Sequence, residues 1–132
     1  MKKQQGFSIV MAIFILVVLG LLGGYMVRMS GVQLATFNQA LLGARAYQAA
    51  RAGIEWAMAR INNGGNCADV NAQTAMSFSG LEGFSVSLNC TSQSFSEADQ
   101  NPTVFRINAL SQFGAYASSD YVARRIEIAI VN

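Results

Sequence analysis

Few residues in this chain of 132 could do chemistry, and their types bound what that chemistry is. There is no His, and seven acids stand against nine Lys and Arg. A His-based acid/base pair or a metal-hydrolase site cannot be assembled from its usual parts, so the chain is not expected to be an enzyme. The net charge of +2 comes from scattered residues and not from a patch, which argues against a nucleic-acid partner. Oxygen ligands gather in two stretches, Asp69 with Asn71 and Glu97 with Asp99 and Asn101, and calcium is the ion they would suit. Their spacing matches no calcium-loop signature; solvated loop acids are the better account, and no metal or cofactor is expected. Arg51 and Glu55, four apart, read as a surface ion pair of small worth. The two thiols, Cys67 and Cys90, remain, and whether they pair depends on the compartment.

That compartment is set by Gly6 to Arg28. Phe7 to Val27 is an uncharged apolar run of 21 residues, and as a helix it can cross a hydrocarbon core of about 30 Å. The leader MKKQQG carries two lysines and no acid, so the positive-inside rule keeps it in the cytoplasm and sends the residues after Arg28 across the membrane. In an oxidising periplasm a Cys67–Cys90 disulfide is the default. It would close a loop of 24 residues. On chain-entropy grounds such a loop is worth roughly 3 kcal/mol, a substantial share for the one small domain that the remaining length allows.

Three readings compete for Met1 to Val27. A cleaved signal peptide lacks a small-x-small site near the end of the run, and the run is long for an h-region. A plain signal anchor needs only length and flanking charge. The third reading rests on a short basic leader ending in Gly6, followed by Phe7, Ser8 and an aliphatic stretch, which resembles the class III leader of type IV pilins. That resemblance implies cleavage between Gly6 and Phe7 by a membrane-embedded prepilin peptidase and methylation of Phe7. The family usually carries Glu as the fifth mature residue, where its carboxylate pairs with a neighbouring subunit's terminal amine; this chain has Met11 there. A charge at membrane depth is costly unless paired, so Met11 removes both the cost and the pairing. A minority of pilin-like proteins lack this Glu, among them a minor pseudopilin of type II secretion placed at the filament tip. Met11 therefore points away from a major, repeating subunit. Gly20 and Gly24 stand in G-x-x-x-G spacing with Gly23 between them. We read them as helix softening more than as a dimer motif, with Ile9 and Ile13 as packing positions in the membrane part.

From Arg28 to Asn62 there is no Pro, and good helix formers dominate, so one helix is expected from Phe7 to Asn62. Asn62 to Gly65 supply its end. Tyr47, Ala50, Ile54, Ala57 and Ile61 recur at spacings of three and four, a stripe that should cover a sheet. Leu34, Phe37 and Leu41 fall on nearly the opposite side and are available to neighbours; Trp56 lies off the stripe, under a loop or against another subunit. The segment ARAYQAARAGIEWAMARI, Ala44 to Ile61, is similar to the A-x-x-A-A-x-A-G segment of the PilX and MshP class of minor pilins. The resemblance implies assembly partners: other minor pilins and the major pilin, prepilin peptidase and an inner-membrane assembly platform. It also implies residence first in the inner membrane and then in a surface pilus.

Asn62 to Gly83 reads as a polar, Gly-rich connector, the αβ-loop of pilins. Phe84, Val86, Leu88 and Cys90 alternate with polar residues in a first strand; Thr91 to Pro102 is a loop. Phe105, Ile107, Ala109 and Phe113 mark a second strand, and Val122, Ile126, Ile128 and Ile130 a third. The expected fold class is α+β, pilin-like: residues 1–6 as leader, 7–27 as membrane span, 28–62 as periplasmic helix, and 63–132 as loop and antiparallel head of about three to four strands. The expected function is that of a minor subunit in an MSHA-type pilus, acting at assembly initiation or at the tip. A minor pseudopilin and a signal-anchored periplasmic protein unrelated to filaments are the rivals.

Overall fold

The computed structural model describes residues 7–96 and 100–131, with side-chain surroundings from Ile9 onward. The chain divides into two units, Met1–Asn38 and Gln39–Asn132. A single helix, α1 (Phe7–Asn62), supplies the first and part of the second.

In the first unit every described side chain, Ile9 to Asn38, is exposed. The residues are apolar on all sides of the helix up to Val27, the pattern of a helix that needs an apolar solvent around it. Polar groups farther along are satisfied within the helix: Ser30 Oγ donates to the Met26 carbonyl at 3.0 Å, and Thr36 Oγ1 to that of Val32 at 2.9 Å. A long apolar helix of this kind fits a single-pass membrane anchor.

In the second unit α1 is amphipathic. Ala46, Ala49, Ala50, Ile54, Ala57 and Ile61 are buried against the sheet. Tyr47 does not belong to this stripe: its side chain is 49% exposed. The stripe includes the small residues Ala46, Ala49 and Gly53. Including them turns its centre by about 40°, at roughly 100° per residue, away from Tyr47 and toward Trp56. Trp56 is accordingly half-buried against the core of its own head. At Gly53 a Cβ would stand 2.8 Å from Val86 Cγ1 and 3.2 Å from Leu88 Cδ2. The helix approaches the sheet so closely there that only a residue without a side chain fits. The helix ends in a Schellman arrangement: Gly65 N–H donates to the Arg60 carbonyl and Gly64 N–H to that of Ile61, with Gly64 at φ +83°.

The connector holds a short helix, α2 (Cys67–Asn71), where none was expected. Asn66 caps it, accepting from Ala68 and Asp69 N–H while Asp69 accepts from Asn66 N–H, a reciprocal capping box. Three antiparallel strands follow, β1 (Phe84–Ser94), β2 (Thr103–Phe113) and β3 (Val122–Val131), in the order β1-β2-β3. β1 runs to Ser94, so the expected loop from Thr91 is strand at its start. Thr91 to Ser94 carry no apolar alternation, and they are held by pairing with Arg106 to Thr103 instead. Phe84 and Phe113 pair across the strands at 4.9 Å between ring centroids. The inner face carries Val86, Leu88, Ile107 and Ala109 as its buried centre, with Ile126, Ile128 and Ile130 half-buried on β3.

Candidate functional site

Two features could carry function, one in each unit. The first is the exposed apolar surface of α1. Of the residues singled out there, Gly6 lies outside the described residues, and Phe7 is the first residue of the helix. Ile9, Met11 and Ile13 are each more than half exposed. Nothing lies within 4 Å of where a Cβ would stand at Gly20, Gly23 or Gly24, so these glycines meet no other part of the chain. Leu34, Phe37 and Leu41 are likewise exposed. This surface is an aliphatic and aromatic rod; what it can do is pack, against lipid or against other helices.

The second feature is the lock between the connector and β1. Cys67 and Cys90 are joined as a disulfide, with Cα atoms 5.0 Å apart. Beside it the Asn71 side chain acts as a short piece of strand: Nδ2 donates to the Cys90 carbonyl at 3.0 Å, and Oδ1 accepts from Cys90 N–H at 2.6 Å. Farther along, Leu88 N–H donates to the Gln73 carbonyl, and Val86 exchanges both backbone bonds with Met76. The connector thus seals the outer edge of β1 from Val86 to Cys90. Sequence reasoning found the disulfide but missed the amide; its only trace in the sequence is an Asn shortly after Cys67.

Among the described residues the oxygen ligands do not converge. Asn71 is used by Cys90, and Asp69 serves the cap and an ion pair with Arg60 at 3.6 Å. Glu97 and Asp99 lie outside the described residues, and Asn101 is an exposed loop residue. Arg51 and Glu55 do form the surface pair, 3.0 Å apart and both well exposed. The Gly80 N–H donates to the Glu82 carboxylate at 2.9 Å and holds it below the usual carboxylate range.

Two inward-facing polar residues were also missed. Ser111 is fully buried with no hydrogen-bond partner for Oγ among the described residues, and Arg124 is its register partner on β3. Both interrupt the apolar alternation of their strands, so periodicity passes over them. No family model matches the chain, and neither a curated protein nor a solved structure does.

Proposed function

We propose that this chain is a minor, MshP-like pilin subunit of an MSHA-type type IV pilus. It would be inserted in the inner membrane with its head in the periplasm, cleaved after Gly6, and built into the tip or priming complex through α1. The observation that carries the reading is the change of character along α1. Its first part exposes apolar side chains on every side, whereas from Ala46 a narrow stripe is buried under a small disulfide-stapled sheet. A helix of the first kind is stable in lipid and, once withdrawn from it, needs other helices to cover it. A plain anchor needs the first property only; a filament subunit uses both. Met11 supports a terminal place, because it brings no carboxylate for a neighbour's amine.

The test is N-terminal sequencing and intact mass of the chain from cells with and without prepilin peptidase. The expected product starts at Phe7 and is one methyl group heavier; a chain that keeps Met1, or is indifferent to the peptidase, removes the reading. Immunogold labelling of sheared fibres then separates tip from shaft, and even labelling along the fibre refutes the terminal place. Met11→Glu should change the efficiency or position of incorporation, and unchanged assembly counts against the role given to Met11.

A further inference from the structure

The sheet has two edges, and the connector closes only one. Val86, Leu88 and Cys90 turn their backbone groups outward to Met76, Gln73 and Asn71. In an antiparallel ladder outward and inward groups alternate, so these bonds set the alternation for the whole sheet. The β1 residues between them bond the even-numbered residues of β2, leaving Phe105, Ile107, Ala109, Ser111 and Phe113 to bond β3. Those face Ile130, Ile128, Ile126, Arg124 and Val122. The N–H and C=O groups of Ala123, Arg125, Glu127, Ala129 and Val131 therefore point out of the sheet, and no strand lies beyond them among the described residues.

Natural edges are blunted by Pro, charged side chains, inward-pointing charges, bulges or shortness. β3 has ten residues, no Pro and an unbroken register; its charges, Arg124, Arg125 and Glu127, stand in its first part and leave Ile128 to Val131 uncharged. Its inner face keeps Ile126, Ile128 and Ile130 only half-buried. Its charges are unevenly met. Glu127 pairs with Arg106 at 3.4 Å, whereas Arg124 and Arg125 have no carboxylate partner among the described residues. The Arg124 guanidinium instead lies against Gly43 of α1 and donates to the Ala123 carbonyl. From Arg125 to Val131 the edge thus offers open backbone groups, with an aliphatic row on one face and two adjacent cations at its N-terminal end.

We propose that this edge is the docking site for an extended segment of a protein partner, added antiparallel as a fourth strand. Its aliphatic residues cover Ile126 to Ile130, and acidic residues near its C-terminal end meet Arg124 and Arg125. Backbone bonds supply the affinity, and alternate side chains with the two charges supply the choice of partner and direction. The proposal is independent of the filament reading.

The test uses the full chain in detergent micelles and the synthetic peptide Thr-Val-Thr-Val-Thr-Val-Glu-Glu, with amide exchange read residue by residue. The amides of Arg125, Glu127 and Ala129 are expected to slow by about tenfold or more, while those of Arg124, Ile126 and Ile128, already bonded to β2, stay as they were. A peptide ending in Lys-Lys should give no slowing. Ala129→Pro removes one outward donor without touching the β2 ladder and should abolish the effect. Should that variant lose β3, Arg124→Glu with Arg125→Glu keeps the strand and should reverse the preference to the Lys-Lys peptide. The proposal is overturned by any of three results: no slowing at saturating peptide, equal slowing by both peptides, or protection of the outward amides that grows with the concentration of the chain alone. The last would place a second copy on the edge.

Discussion

Asn71→Ala is the sharpest test of how the head is held. The substitution removes both bonds that the Asn71 amide makes to Cys90 and leaves the Cys90 N–H and C=O without partners. Cys90 is 3% exposed, so water replaces those bonds poorly. An unpaired polar group in such a place costs about 1–3 kcal/mol, and the two together about 2–4 kcal/mol, since they share one site at the rim of the core. For a unit of this size each kcal/mol moves the midpoint by about 4–8 °C, so a fall of roughly 8–32 °C is expected. The assay is thermal unfolding of the full chain in micelles, followed by Trp56, with amide exchange at Cys90 as a local readout. Asn71→Asp keeps an acceptor for the Cys90 N–H but sets a second oxygen against the Cys90 carbonyl; it should cost at least as much at neutral pH. A fall of less than about 2 °C in Asn71→Ala, or a global loss with no selective rise in exchange at Cys90, would refute the reasoning.

Three further outcomes are expected. Gly53→Ala places a methyl 2.8 Å from the stiff, fully buried Val86. The overpacking, about 1–3 kcal/mol, should exceed the helix-propensity gain of about 1 kcal/mol; a stabilised variant in urea unfolding would show that the sheet yields. Replacing both cysteines by serine should cost roughly 3 kcal/mol in the same assay. Because the disulfide keeps the connector beside β1, Asn71→Ala should then cost less than in the bonded chain, and strict additivity would show the two to be independent. Glu82 has its carboxyl lowered by the Gly80 N–H. Its contribution is therefore present above the unfolded-state pKa and lost as pH falls through the lower folded value. A carboxyl NMR titration should give a midpoint below that of an unstructured Glu, and Gly80 should respond in step; a midpoint at or above that of the free residue refutes the contact.

How much of this was legible follows from which signals are local. The helix from Phe7 to Asn62 was readable because propensity, the absence of Pro and the Asn-Gly ending all sit within it. The strands were readable where apolar residues alternate, as at Phe84 to Cys90, and not where pairing alone holds the chain, as at Thr91 to Ser94. The helix stripe was misplaced by about 40° because its spacing admitted Tyr47 and passed over Ala46, Ala49 and Gly53. Tyr47 is the largest residue near the stripe, yet the closest contacts are made by Ala and Gly, which hydropathy ranks low and which alone let the helix come down onto Val86 and Leu88. α2 was missed although Asn66 and Asp69 spell a capping box, because five residues give no periodicity to support it.

The connector lock and the β3 edge were the least legible features, for a physical reason. A disulfide announces itself by residue type, but an Asn that substitutes for a strand does not; its role exists only once Cys90 lies opposite, 19 positions away. The open edge of β3 is a property of no residue at all. It arises from the parity of the whole ladder, which is fixed at the far side of the sheet by the bonds of Val86 to Met76. Shifting that register by one residue would turn Ala123, Arg125, Glu127 and Ala129 inward to β2 and present Arg124, Ile126 and Ile128 backbone groups at the edge instead. The connector lock and the docking edge are therefore one system: what fixes the parity on β1 also decides which amides β3 leaves open. The exchange pattern of β3 alone, fast at odd positions and slow at even ones, would establish that link before any partner is added.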